Sequence, residues 1–153
     1  MLKSLQRFSA LERPAQRLFV RAAIVLPLVS ASLRLRGFET TRSILEKTLS
    51  PPAPGWESTV IEKSVLTARM VNAADRHGLV HPSCLAKSLT LWWLLGRQGI
   101  NSHLRIGIRK EHGKFEAHAW VEREGVALNE PEEPHQHYAA FDSALASWPG
   151  EEG

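Results

Sequence analysis

A change of hydrophobic period near Gly99 predicts an α+β fold. Before it, apolar residues recur at helical spacing, as in Leu85, Leu89 and Trp92; after it, Leu104, Ile106 and Ile108 alternate with Arg105, Gly107 and Arg109 as in a half-buried strand. Turn signals at Glu111-His112-Gly113 and Glu124-Gly125 then cut the remainder into short strands. Helices followed by an antiparallel meander give α+β, not a doubly wound sheet. With 153 residues, 43% hydrophobic and 23% charged, the chain has enough material for one core.

From the N-terminus, Leu2 to Leu35 reads as two helical stretches divided or kinked near Pro14 and Pro27, with Arg13, Arg17 and Arg21 forming a polar stripe. Thr40 to Leu49 is a further short helix, which the cluster Ser50-Pro51-Pro52-Ala53-Pro54-Gly55 cannot continue. That cluster is the only internal boundary. Residues 1–50 are therefore read as a basic helical subdomain packed onto a domain at 56–148, being too small to stand alone. Thr59 and Glu62 form a capping-box pattern, and Val60, Ile61, Val65, Leu66, Val71 and Ala74 carry an apolar face down to Gly78.

Charge is uneven. Met1 to Ser50 holds nine Lys and Arg against three acids, whereas Glu122 to Gly153 holds eight acids against Arg123 alone. The basic half could suggest nucleic acid or an anionic membrane, but its charges are interleaved with apolar residues, which fits the solvated face of an amphipathic helix better than either. Ala22 to Leu33, the longest apolar run, is interrupted by Pro27 and falls short of the roughly 20 residues that cross a bilayer, so no transmembrane segment is expected. One cysteine leaves no internal disulfide, and no signal peptide is evident; both fit the cytoplasm. No phosphate loop or Rossmann fingerprint occurs, and His112, His135 and His137 lack metal-ligand spacing, so neither cofactor nor metal is expected.

The chemistry centres on His81 to Gly99. Ser83 can cap a helix whose first turn holds Cys84, and the unpaired N–H groups and positive dipole end found there favour thiolate, the nucleophilic form of cysteine. A thiol attacking an acyl carbon needs a base, and the base needs a polar group to orient it. His118, on the second strand in Ala117-His118-Ala119-Trp120-Val121-Glu122, is the base. Asn129 and Glu130 compete for the third place. A two-residue turn at Glu124-Gly125 sets Trp120 opposite Asn129 and puts Asn129 on the face of His118; one residue of slip favours Glu130 instead. His81 and Trp120 are candidate substrate contacts, although Trp120, with Trp92 and Trp93, also suits the core.

These residues carry a resemblance. A helix beginning with cysteine, two strands, then His-Ala-Trp-Val-Glu and a nearby Asn or Glu is similar to the transglutaminase-like, papain-related superfamily. More closely, HPSCLAKSLTLWWLLGRQGI, LRIGIRK and AHAWVEREGVALNE resemble the leader peptidases of lasso peptide biosynthesis, across about Pro82 to Phe141. The resemblance implies a transglutaminase-like core, its cysteine helix packed on an antiparallel sheet and preceded by N-terminal helices. It further implies a cysteine peptidase with Cys84 as nucleophile and His118 as base. The family's acidic third position falls on Glu130, where aspartate is more usual. Three partners are implied: a precursor peptide, a separate leader-recognition protein, and an ATP-dependent, asparagine-synthetase-like macrolactam synthetase. A transglutaminase-type acyl transferase and a non-catalytic peptide-binding subunit are the rival expectations.

Overall fold

A computed structural model describes residues 9–129 and 139–140. Three helices precede a four-stranded antiparallel sheet: α1 (Arg13–Glu46), α2 (Glu57–His77), α3 (Cys84–Arg97), β1 (His103–Glu111), β2 (Lys114–Arg123), β3 (Val126–Ala127) and β4 (Ala139–Ala140), in spatial order β3-β2-β1-β4. The architecture is α+β, as the change of period predicts.

The break in the N-terminal helices falls elsewhere than expected. Pro14 lies in the first turn of α1, where its missing N–H costs no helical bond, and Pro27 sits inside a continuous helix. Packing overrides the local penalty there: Ala22, Leu26 and Val29, which straddle Pro27, are all buried. The discontinuity is instead at Gly37, whose φ of 78° and ψ of 177° are non-helical. Thr41 secures the restart, its Oγ1 donating to the Gly37 carbonyl at 2.7 Å.

Two further expectations shift. Thr59 and Glu62 do not open α2, which begins at Glu57 after Trp56 with no side-chain cap. Glu57 is held by Arg123 at the end of β2 through contacts of 2.6 and 3.2 Å, and that hydrogen bond lowers the Glu57 carboxyl below its ordinary range. The inward face of α2 is also rotated: Ile61 and Val65 are exposed, while Ser64, Thr67, Ala68, Met70, Val71 and Ala74 are buried. Ser64 and Thr67 can be enclosed because each hydroxyl donates to the carbonyl four residues earlier, at 2.7 and 2.6 Å.

The helices share their cores. Ala15 and Leu18 of α1 meet Met70 of α2, Ala22 joins Ala68, Val71, Leu91, Leu94, Leu95 and Val121, and Val29 packs with Ala86 and Leu89. Beyond α3 the chain closes tightly on the proline-rich link. Ala53 N–H donates to the Gly99 carbonyl at 3.1 Å, and Gly99 has a φ of 72° with only 2.6 Å between a notional Cβ and Ala53 N. No other residue type fits that position without strain.

Candidate active site

Cys84 is the first residue of α3 and is half-buried. Ser83 caps the helix, its Oγ accepting from Ala86 N–H at 3.2 Å while its carbonyl accepts from Lys87. The N–H groups of Cys84 and Leu85 precede the first intrahelical bond, so they are available to an anion at this helix end.

His118 is half-buried on β2, which pairs with β1 through Gly107↔His118 and Ile106↔Ala119. The β2–β3 turn is the two-residue Glu124-Gly125, both at positive φ (51° and 79°), with Glu122↔Ala127 and Arg123↔Val126 across it. This is the register that, continued, would set Asn129 opposite Trp120, but β3 ends after Ala127. Leu128 N–H still reaches the Val121 carbonyl at 2.8 Å, and then the Asn129 side chain takes the place of a strand, its Oδ1 accepting from Val121 N–H at 2.9 Å.

Ser88, one turn beyond Cys84, completes the seam. Its hydroxyl donates to the Ala119 carbonyl at 2.8 Å and accepts from Asn129 Nδ2 at 3.0 Å. Helix, strand and the end of the hairpin are thereby bolted together beside His118. Leu91, Leu94 and Leu95 of α3 share a core cluster with Val121 of β2. The Ser88–Ala119 bond joins the cysteine helix to the strand segment that carries His118, while the His118 side chain alternates with Ala119 and Val121 and so lies on the other face of β2.

On the alternate face of β2 from Val121, the His118 ring stacks on Trp120 with centroids 6.2 Å apart and planes 21° off parallel. Trp120 Nε1 donates to Glu122 Oε1 at 2.9 Å, and Arg105 Nε donates to Glu122 Oε2 at 3.1 Å. Trp120 is 0% exposed. Its candidacy as a substrate contact gives way to a structural one, because an enclosed indole offers no surface to a peptide. His81 is exposed on the loop before Cys84. Glu130, His135 and His137 lie outside the described residues. Among the described residues no group of three His, Cys, Asp or Glu side chains could hold a metal ion.

Sequence spacing alone does not single out Ser88, Glu122 or Arg105. A serine one turn from Cys84 on an otherwise apolar helix face was the available signal for Ser88; Glu122, at alternate spacing from Trp120 and His118, was the signal for the second cluster. A cavity of about 190 Å³ between Leu49, Pro52, Trp92 and Ser102 lies at the opposite end of α3, about 18 Å from Cys84 by helical rise, and has no part in this site.

No curated protein and no solved structure matches the chain. The transglutaminase-like superfamily does, over residues 25–142, from within α1 to just past β4. Because that match takes in the cysteine helix, the histidine strand and the seam between them, and covers well over half of the 153 residues, the chain belongs to the transglutaminase-like superfamily.

Proposed function

We propose that this protein is a cysteine peptidase that removes the leader from a lasso peptide precursor in the cytoplasm and so exposes the core N-terminus for ring closure. The observation that carries the reading is Cys84 at a capped helix start, on the helix that Ser88 bonds to the strand carrying His118. In the reaction, Cys84 thiolate attacks the carbonyl at the leader–core junction and the tetrahedral oxyanion is met by the N–H groups of Cys84 and Leu85. His118 then protonates the leaving amine of the core, and water activated by the same imidazole releases the leader from the thioester. No cofactor enters. The sequence resemblance to leader peptidases supports the substrate class, and superfamily membership supports acyl chemistry at cysteine.

For the third group we favour Glu130, since a carboxylate stabilises the imidazolium. Asn129 already spends Oδ1 on Val121 and Nδ2 on Ser88. A separate recognition protein would deliver the precursor by raising its local concentration, and a macrolactam synthetase would take the product.

The test is mass spectrometry of a synthetic precursor incubated with the purified chain, with and without the recognition protein. Cleavage at one junction, accelerated by the recognition protein and lost in Cys84→Ala and His118→Ala, is expected. Amide products formed with an added amine would identify an acyl transferase. Unchanged pathway output from Cys84→Ala would leave only a peptide-binding role. Among folded variants, Glu130→Gln should slow single turnover more than Asn129→Ala does; the reverse order would assign the orienting role to Asn129.

A further inference from the structure

We propose that the outer face of α1 docks the protein onto an anionic membrane surface, with the helix lying in the plane of the headgroups. At about 100° per residue, Val20, Ile24, Leu28, Ala31 and Leu35 fall within an arc of about 80°, a stripe about 22 Å long. All five are exposed, Val20 by 44%, Ile24 by 57%, Leu28 by 63% and Leu35 by 83%. Nothing among the described residues covers them.

The charges around the stripe choose its occupant. Arg13 and Arg17 continue the same arc toward the N-terminus, Arg21 and Arg34 flank it, and Arg36 follows Leu35; every one is exposed. No acidic residue occurs between Arg13 and Gly37. A second copy of the chain fits poorly, because parallel and antiparallel pairing both bring arginines against arginines. A protein partner is less suited, since the stripe is convex, purely aliphatic and without an aromatic anchor or pocket. Anionic headgroups satisfy the guanidinium groups at both ends while the aliphatic stripe enters the acyl boundary.

Length and composition alone would let α1 cross a bilayer. The fold prevents this. Ala15, Leu18, Ala22 and Val29, on the opposite side of the helix, are buried against α2 and α3, so only one face is available and the helix must lie on the surface.

The experiment is vesicle flotation of the full chain with phosphatidylcholine alone and with about one-third phosphatidylglycerol. Binding to the anionic vesicles only, reversed by high salt, is expected. The double variant Ile24→Gln/Leu28→Gln should lower the partition coefficient by about tenfold or more, and Arg17→Gln and Arg21→Gln by about fivefold each, with circular dichroism unchanged because these positions are exposed. Leu35→Gln is an independent second variant with the same expectation. Equal binding to neutral vesicles, indifference to these substitutions, resistance to alkaline carbonate, or a stripe-dependent dimer in light scattering without vesicle binding would each overturn the proposal.

Discussion

Replacing Ser88 by alanine tests the seam that ties the cysteine helix to the histidine strand. The hydroxyl is 0% exposed, donates to the Ala119 carbonyl at 2.8 Å and accepts from Asn129 Nδ2 at 3.0 Å. Its removal strands two partners. A buried orphaned carbonyl costs about 1–3 kcal/mol and the half-buried amide about 1, so Ser88→Ala should lose about 2–4 kcal/mol. For a chain of this size that corresponds to a fall of about 4–16 °C in Tm. Asn129→Ala strands the same hydroxyl from the other side and also leaves Val121 N–H without its acceptor. The double variant should therefore cost less than the two single losses added, by about 1 kcal/mol or more. Urea unfolding of the four proteins, with m-values checked for constancy, measures this cycle. Additivity within about 0.5 kcal/mol, or a Ser88→Ala cost below about 0.5 kcal/mol, would refute the shared network. At a temperature where the variant stays folded, proposed peptidase turnover should also fall, because the bond that holds helix to strand is gone.

Three other outcomes are expected. Gly99→Ala should destabilise by about 1–3 kcal/mol in thermal unfolding, because the residue sits at φ 72° with Ala53 N where a Cβ would go. Glu57→Gln should lower the urea midpoint slightly at neutral pH; since the folded carboxyl titrates below its unfolded value, the gap should close as pH falls through that folded value, and high salt should shrink it throughout. Glu122→Ala, which removes the acceptor of the Trp120 indole N–H and of Arg105 Nε, should cost about 1–3 kcal/mol in urea unfolding, and an unchanged urea midpoint would contradict that.

Several parts of this fold could be read from residues close together in the chain. The Ser83 cap with Cys84 directly behind it and the tight Glu124-Gly125 turn are both set by contacts a few residues long, and both were legible. The alternation of Leu104, Ile106 and Ile108 was legible too, since strand period is a local property. What resisted reading depends on partners distant in sequence. Pro27 marks a break by local rules, yet Ala22 and Val29 on either side of it are buried against α2 and α3, and the discontinuity moves to Gly37. Ile61 and Val65 look like core by hydrophobicity, but Ser64 and Thr67 take the inner positions, where small side chains with satisfied hydroxyls suit close helix packing. β4, which joins the far edge of β1, requires pairing across more than thirty residues that no local pattern announces. Asn129 fits a catalytic role by spacing, and only the folded chain shows its amide bound to Val121 and Ser88. Backbone preference and capping act within a turn or two; which face is buried and where a polar side chain spends its hydrogen bonds depend on elements that meet only when the chain has folded.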